Sequence, residues 1–530
     1  MIPMLQRPSP QLSQPVTIPA PVLGVNAVDG YAEMGPQDSI YTYNMYSGPG
    51  GLRVRGGYSE WQTSVGSLNG GRTLIPYTGS VVAEDSLFAT SKQGIYDISA
   101  SGTNPTAALT FATADSNSGY GQYIGYATIG GHFLLYCDET NGYIYYGEGT
   151  GTWTVAGAGI TGVTATTLVS VCVHKERVWF VERGTANAWY LPVGQILGAA
   201  TKFNFGSRFR KGGYLVNLYS WTVDGGNGVD DYLVAISSSG DVVVFRGNDP
   251  NTSTDWFEQG SWFIGKPPAG RRVAGSFGGE LYLLSGYGVL PISKLLSGAL
   301  VQDENTAVSR RITPFIQEQM QTLTGELGWE VQLITSENLL LVSTPLITGN
   351  TKLQFVQSLN KQAWSMFRDL PYFTGVEWDG QFYFSDGVGT VYVLSGYSDG
   401  VLLNGTGAAE VEFSLLTSFQ DIHPPGAFKR VQFIRPSFLA QGVPGYEVAA
   451  RYDYDLDETD PVVAGSIAAG ALWDSAVWDG AVWGGGFTVT QVTNGGSGIG
   501  RAIAVALRGK TSVKTTLVKL EVIHDGGGLL

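Results

Sequence analysis

From about residue 70 to residue 400 one phrase recurs: an apolar run, a turn of Gly, Asp, Asn or Ser, then a second run rich in Tyr, Val and Ile. DSLFATSKQGIYDISASG (85–102) is the cleanest copy, and GGHFLLYCDETNGYIYYGEGTGTW (130–153), DDYLVAISSSGDVVVFRG (230–247) and WDGQFYFSDGVGTVYVLSG (378–396) repeat it. In the second of these, Asn141-Gly142 favours a type I′ hairpin. Copies return at intervals of roughly 40 to 60 residues, the period of antiparallel blades around an axis. A parallel β-helix needs a shorter and stricter repeat. The pattern predicts a β-propeller over 64–400 with about seven blades; six or eight also fit.

Composition agrees with an all-β chain. Only 14% of the 530 residues are charged, 43% are hydrophobic, and 74 are glycine. Few helix formers and many β-branched and aromatic residues favour short strands and tight turns. The stretch 303–320, DENTAVSRRITPFIQEQM, has helical character, with Pro314 expected to start, break or kink it. After about residue 400 the strands lengthen and lose the hairpin phrase, which predicts a β-sandwich-like domain over 401–530. Residues 1–63 read as an extended N-terminal arm followed by first strands.

Within 401–530, ALWDSAVWDGAVWGGG (471–486) repeats at a step of five, which suits neither one helical stripe nor one strand face. It reads as an insertion of small turns presenting Trp473, Trp478 and Trp483, either packed locally or offered to a neighbour. RYDYDLDETD (451–460) is expected to set Asp453, Asp455 and Asp457 on one face of a strand. A solvated face, a calcium site and an acidic channel lining are the readings for them. An EF-hand loop counted from Asp453 would need Gly and Glu where the chain has Glu458 and Ala464.

Chemistry-bearing motifs are scarce. The four histidines (His132, His174, His423, His524) are not at ligand spacing, and no phosphate loop or nucleophile elbow is present. EGTGTW (148–153) resembles a degraded sialidase aspartate box, with Tyr146 and Thr150 departing from it, and reads as a blade turn whose Trp153 packs between sheets. Cys137 and Cys172 lie in strand-like runs and read as small buried hydrophobes. The chain is therefore read as non-enzymatic, with no cofactor and no metal. The basic groups Arg208, Arg210 and Lys211, Arg271 and Arg272, and Lys429 and Arg430 are too short for a nucleic-acid groove and are expected to pair with local carboxylates or, in an oligomer, with a neighbouring subunit. A net charge of −14 has the wrong sign for holding DNA by phosphate neutralisation. Neither a signal-peptide pattern nor an apolar run of about eighteen is visible, so synthesis in a cytoplasm without membrane insertion is expected.

APVLGVNAVDGYAEMGPQDSIYTYNMYSGPGGLRVRGGYSEWQT (20–63) resembles the opening of the tail tubular protein B, or nozzle, family of short-tailed bacteriophages and of the related packaged-DNA stabilisation proteins. The resemblance rests on Gly24-Val25-Asn26, Pro36, Asn44 and Leu52-Arg53-Val54-Arg55-Gly56-Gly57-Tyr58, and later on FKRVQFIRPSF (428–438), GRAIAVALRGK (500–510) and LVKLEVIHDGGG. It implies a virion structural protein forming a homohexameric ring at the distal end of the tail. An adaptor or tail tube protein would sit above it, tail fibres or a needle would be further partners, and genomic DNA would pass through the channel unbound. The alternatives are a receptor- or glycan-binding propeller at the tail tip and a glycan-cleaving one.

Overall fold

The structure, a computed structural model, describes residues 13–67, 69–224, 229–301, 303, 305–345, 353–423, 425–459 and 487–526. Six radial blades are sheets of their own. Blade 1 spans 74–110, blade 2 121–155, blade 3 168–204, blade 4 215–263 and blade 5 274–291. Blade 6 combines Thr374–Trp378, Gln381–Ser385 and Val391–Leu394 with Tyr58–Thr63 from the start of the chain, which closes the ring. Between blades 5 and 6, a four-stranded meander (Glu330–Ile334, Leu339–Ser343, Leu353–Ser358, Ala363–Arg368) fills one more position but belongs to a ten-stranded sheet. The ring thus has six free-standing blades and one fused meander, in keeping with the sequence expectation.

Apolar clusters stand between all successive members of this circle. Ile75, Phe88, Tyr136 and Trp153 fill the gap between blades 1 and 2, and Val65, Leu87, Val376 and Val391 the gap between blade 6 and blade 1. Trp153 is therefore the inter-sheet wedge expected of the EGTGTW turn, its ring 5.2 Å from Phe88. At the end of the second strand of several blades a short polar side chain caps the turn. Ser91 Oγ accepts from the Gln93 N–H (2.9 Å), Asp138 Oδ1 from Thr140 (2.8 Å), Ser237 Oγ from Asp241 (3.0 Å) and Asp386 Oδ1 from Val388 (2.9 Å). This is why the sequence refrain carries Ser or Asp before its glycine. At Asn141-Gly142 the turn differs from expectation. Asp138 pairs with Gly142 across a three-residue loop, and Gly142 supplies the positive φ (76°) alone. A type I′ turn needs two such residues.

Helix α1 (Ile292–Leu296) stands where blade 5 lacks an outer strand, and α2 (Thr313–Thr322) follows with Pro314 in its first turn. Pro314 opens the helix, since a first-turn residue needs no intrahelical N–H.

The remaining strands form a sandwich. One sheet holds Met45–Gly48, Gly51–Val54, Thr515–Gly526, Lys429–Ala440 and Thr488–Gln491. The facing layer is the far end of the ten-stranded sheet: Asp38–Tyr43, Ala409–Thr417, Ile503–Thr511 and Gly445–Tyr452. Phe413, Leu415, Ile434, Phe438, Leu507 and Leu520 meet between them. The extended N-terminal segment, from Gln14 to Pro19, lies antiparallel along the chain's own last strand, with Ile18 buried in that core.

Candidate functional site

Residues between Gly24 and Gly57 converge on the joint between propeller and sandwich. Asn44 adopts φ 56°, which lets its backbone N–H reach Met366 O (2.8 Å) while Nδ2 donates to Glu412 O (2.8 Å). Its Oδ1 accepts from Arg55 Nε (3.1 Å) and from the Arg368 N–H (3.0 Å). Arg55, 3% exposed, grips Asp399 with both terminal nitrogens at 2.7 and 2.6 Å. A planar fork on a half-buried carboxylate fixes angle as well as distance. Arg53 pairs with Glu337 at 3.2 Å, and Glu337 also accepts from Tyr46 OH (2.5 Å). Asn26, 2% exposed, donates to Asp38 (3.1 Å), whose other oxygen pairs with Arg311. Gly24 and Gly57 pass so close to Trp364 and Ser398 that a Cβ would fall 2.3 and 2.2 Å from their carbonyl oxygens. The joint is a clamp of opposed charges and close backbones.

A second buried network lies where the inner strands of the ring converge. Arg272 donates to Thr374 Oγ1 (2.8 Å), Thr73 Oγ1 (2.6 Å), Gly121 O (3.1 Å) and Arg72 O (3.2 Å). Its guanidinium lies 4.5 Å from the Tyr120 ring centre and 3.5 Å from Glu330. Glu330 also accepts from Tyr372 OH (2.8 Å), Thr374 Oγ1 (3.0 Å) and the Gly375 N–H (3.2 Å). Arg271 pairs with Glu139, while its carbonyl accepts from Asn217 Nδ2 (2.9 Å) and Tyr219 OH (2.7 Å). Asn217 Oδ1 in turn accepts from Ser170 Oγ (2.5 Å). Every member of the ring contributes to this hub. Burial pushes the Glu330 carboxyl up, with Arg272 and the three donors drawing it back, and burial raises the Tyr120 hydroxyl to about 12. Burial opposes the Arg272 charge, but the acidic and phenolic groups around it together, Glu330 among them, hold the guanidinium above its usual range.

The residues singled out from the sequence are dispersed. Asp453, Asp455 and Asp457 do not share a strand face: the strand ends at Tyr452, and Asp453 and Tyr454 turn the chain with φ of 49° and 73°. Asp453 Oδ1 accepts from the N–H groups of Arg501 (2.9 Å) and Ala502 (3.0 Å), and Asp455 pairs with Arg451 at 3.5 Å. Among the described residues no group of three His, Cys, Asp or Glu is arranged to hold a metal. Trp473, Trp478 and Trp483 lie outside the described residues. Both cysteines are buried and unpaired. Arg208 pairs with Glu258 (2.6 Å) and Lys429 with Asp421, as the scattered basic groups suggested. The sequence reading missed Arg271-Arg272 as the hub; its signal is an Arg pair directly ahead of an inner strand.

His174 is 2% exposed, with Nδ1 3.0 Å from Ser220 Oγ. Burial lowers it to about 4. The neutral ring is the folded form, so its contribution is complete above the unfolded value near 6.5 and is lost as pH falls towards 4. Urea titrations of the wild-type chain and His174→Asn should differ in pH dependence by about 2 kcal/mol between pH 7.5 and 5. Equal slopes would refute this.

A scan of protein-family models finds no match, and a search of curated proteins finds none either. Among solved structures the chain is similar to a Bacillus subtilis glycoside hydrolase family 43 arabinoxylan arabinofuranohydrolase (13% identity, 83% of this chain and 87% of that one, TM-score 0.25). It is similar to the β-propeller domain of Vanderwaltozyma polyspora Nup133 (10%, 64% and 97%, 0.31) and to a putative 6-phosphogluconolactonase of Bacteroides fragilis (11%, 61% and 93%, 0.35). Two of these three are named as enzymes, which corrects the sequence-based exclusion of catalysis. An architecture shared with enzymes does not forbid a reaction, and missing motifs are no ground to deny one. Likeness at this level assigns no activity to this chain. Among the described residues no helix is long and apolar enough to cross a membrane.

Proposed function

We propose that this protein is a structural subunit of a short-tailed bacteriophage tail, one of six copies in the nozzle ring around the DNA channel. One observation carries the reading: Gly24, Asn26, Asn44, Arg53, Arg55 and Gly57, which bear the resemblance to that family, build the propeller–sandwich clamp. A ring subunit that transmits force between neighbours needs such a fixed joint, because each copy must offer two complementary patches at one angle. The net charge of −14 supports it further, since an acidic wall lets a polyanion pass without sticking.

Mass measurement on isolated tails should find six copies per tail, and the purified chain should leave duplex DNA unshifted at about 100 mM salt. Tails containing one copy, or glycan-array binding by a protein that never forms a ring, would overturn the nozzle reading in favour of a tail-tip adhesin.

A further inference from the structure

The last strand of the sandwich, Thr515–Gly526, has two neighbours at His524: Val431 on the long strand Lys429–Ala440, and Gln14 on the N-terminal strand. His524 is 1% exposed, on the same strand face as Val522 and Leu520 of the apolar core. Neither of its ring nitrogens has a hydrogen-bond partner among the described residues. Charging the ring there would bury a cation beside aliphatic side chains. The charges around it add to that cost. Lys429, fully buried, holds Asp421 and Arg501 O (3.0 Å) and repels a proton on His524. Arg501 lies over the Phe428 ring at 4.8 Å, and Arg430 sits across from Asp525. Asp525 attracts the proton but already accepts from Ser13 Oγ (2.6 Å) and Gln432 Nε2 (2.5 Å). Tyr452 OH is engaged with the Val431 N–H (3.3 Å) and Ser497 O (2.9 Å). Burial first, and Lys429 next, hold the His524 pKa below its usual value, with Asp525 opposing them.

The two strands beside His524 are not equally fixed. Lys429–Ala440 is paired with the last strand along its whole length. The N-terminal strand, QPVTIP from Gln14 to Pro19, is short, carries no charge and pairs with the last strand alone. Pro15 and Pro19 give it no N–H for the ladder, as suits an edge position. Ile18 is its one buried side chain. Water therefore reaches a protonated His524 at least cost when this strand leaves, a local opening that spares the remaining sheet.

We propose that residues 14–19 are an acid-released strap: protonation of His524 detaches them from the last strand while the rest of the sandwich stays folded. The claim is independent of the nozzle reading. The attached form holds the neutral ring, whereas the detached form titrates near the ordinary value of about 6.5. Attachment is therefore complete above that value and weakens as pH falls below it. Amide exchange of the full-length chain, read by mass spectrometry and corrected for the intrinsic effect of pH, tests this. From pH 7.5 to pH 5, protection of residues 14–19 should fall by about fivefold or more relative to Lys429–Ala440. His524→Leu keeps the bulk without the titration and should hold that ratio level, and His524→Gln should do the same. His174 titrates in blade 3, outside the sandwich, and cannot loosen one of these two strands alone. An unchanged ratio in the wild-type chain, an equal fall in both strands, or a fall that persists in either variant would overturn the proposal.

Discussion

Arg272→Met should destabilise the protein by about 3–5 kcal/mol, the cost of stranding one partner of a buried ion pair. The loss is large because Arg272 serves four acceptors on different members of the ring, and its removal leaves Glu330, 6% exposed, without a cation. Glu330→Gln should cost less, since the amide oxygen keeps acceptors for Tyr372 and Gly375. The double variant should fall short of the sum of the singles, because the two side chains act on one network. A pH series separates charge from packing. Burial already raises the Glu330 carboxyl, and without Arg272 it rises further, so the folded state of Arg272→Met prefers the protonated acid. The defect should therefore be largest near pH 8 and shrink as pH falls towards 5. Urea unfolding at both pH values reads this out. A defect of constant size would mean that lost packing, not the uncompensated carboxylate, sets it.

This hub shows where sequence reading stops. The blades were legible because each hairpin is a local event: strand, polar cap, glycine, strand. Arg271-Arg272 looked like a small basic pair because its carboxylate partners are remote, Glu139 being 132 positions away. The segment 336–367 repeats the hairpin phrase, but its fusion to the larger sheet was hidden for the same reason, since it joins that sheet through Gly24, which pairs with Trp364. Asp453 to Asp457 failed differently. Alternation of Asp with Tyr and Leu predicts a strand face, but backbone N–H groups of Arg501 and Ala502 compete for the Asp453 carboxylate and favour a turn. The clamp was legible as a motif and not as a joint: LRVRGGY stood out, while Asp399, which Arg55 holds, lies 344 positions downstream.

Gly57→Ala should be the most damaging of the small substitutions, with a loss above about 3 kcal/mol. The added methyl would sit 2.2 Å from Ser398 O and 2.3 Å from Ser398 N, backbone atoms that cannot rotate away. Gly57 also exchanges hydrogen bonds with this segment, donating to Gly396 O and accepting from the Ser395 N–H, both at 3.0 Å. Separation here pulls Tyr58–Thr63 away from Val391–Leu394, the pairing that closes the propeller. Gly50 is the control: its φ of +84° strains an alanine, but nothing lies within 4 Å of the new methyl, so Gly50→Ala should cost only about 1 kcal/mol. Limited proteolysis distinguishes global weakening from an opened ring. If closure is the weak point, Gly57→Ala should be cut first near residue 57 or 396 while blades 2 to 4 stay protected. Uniform cleavage along the chain would instead mean that the terminal strand closes nothing and that stability resides in the blades alone.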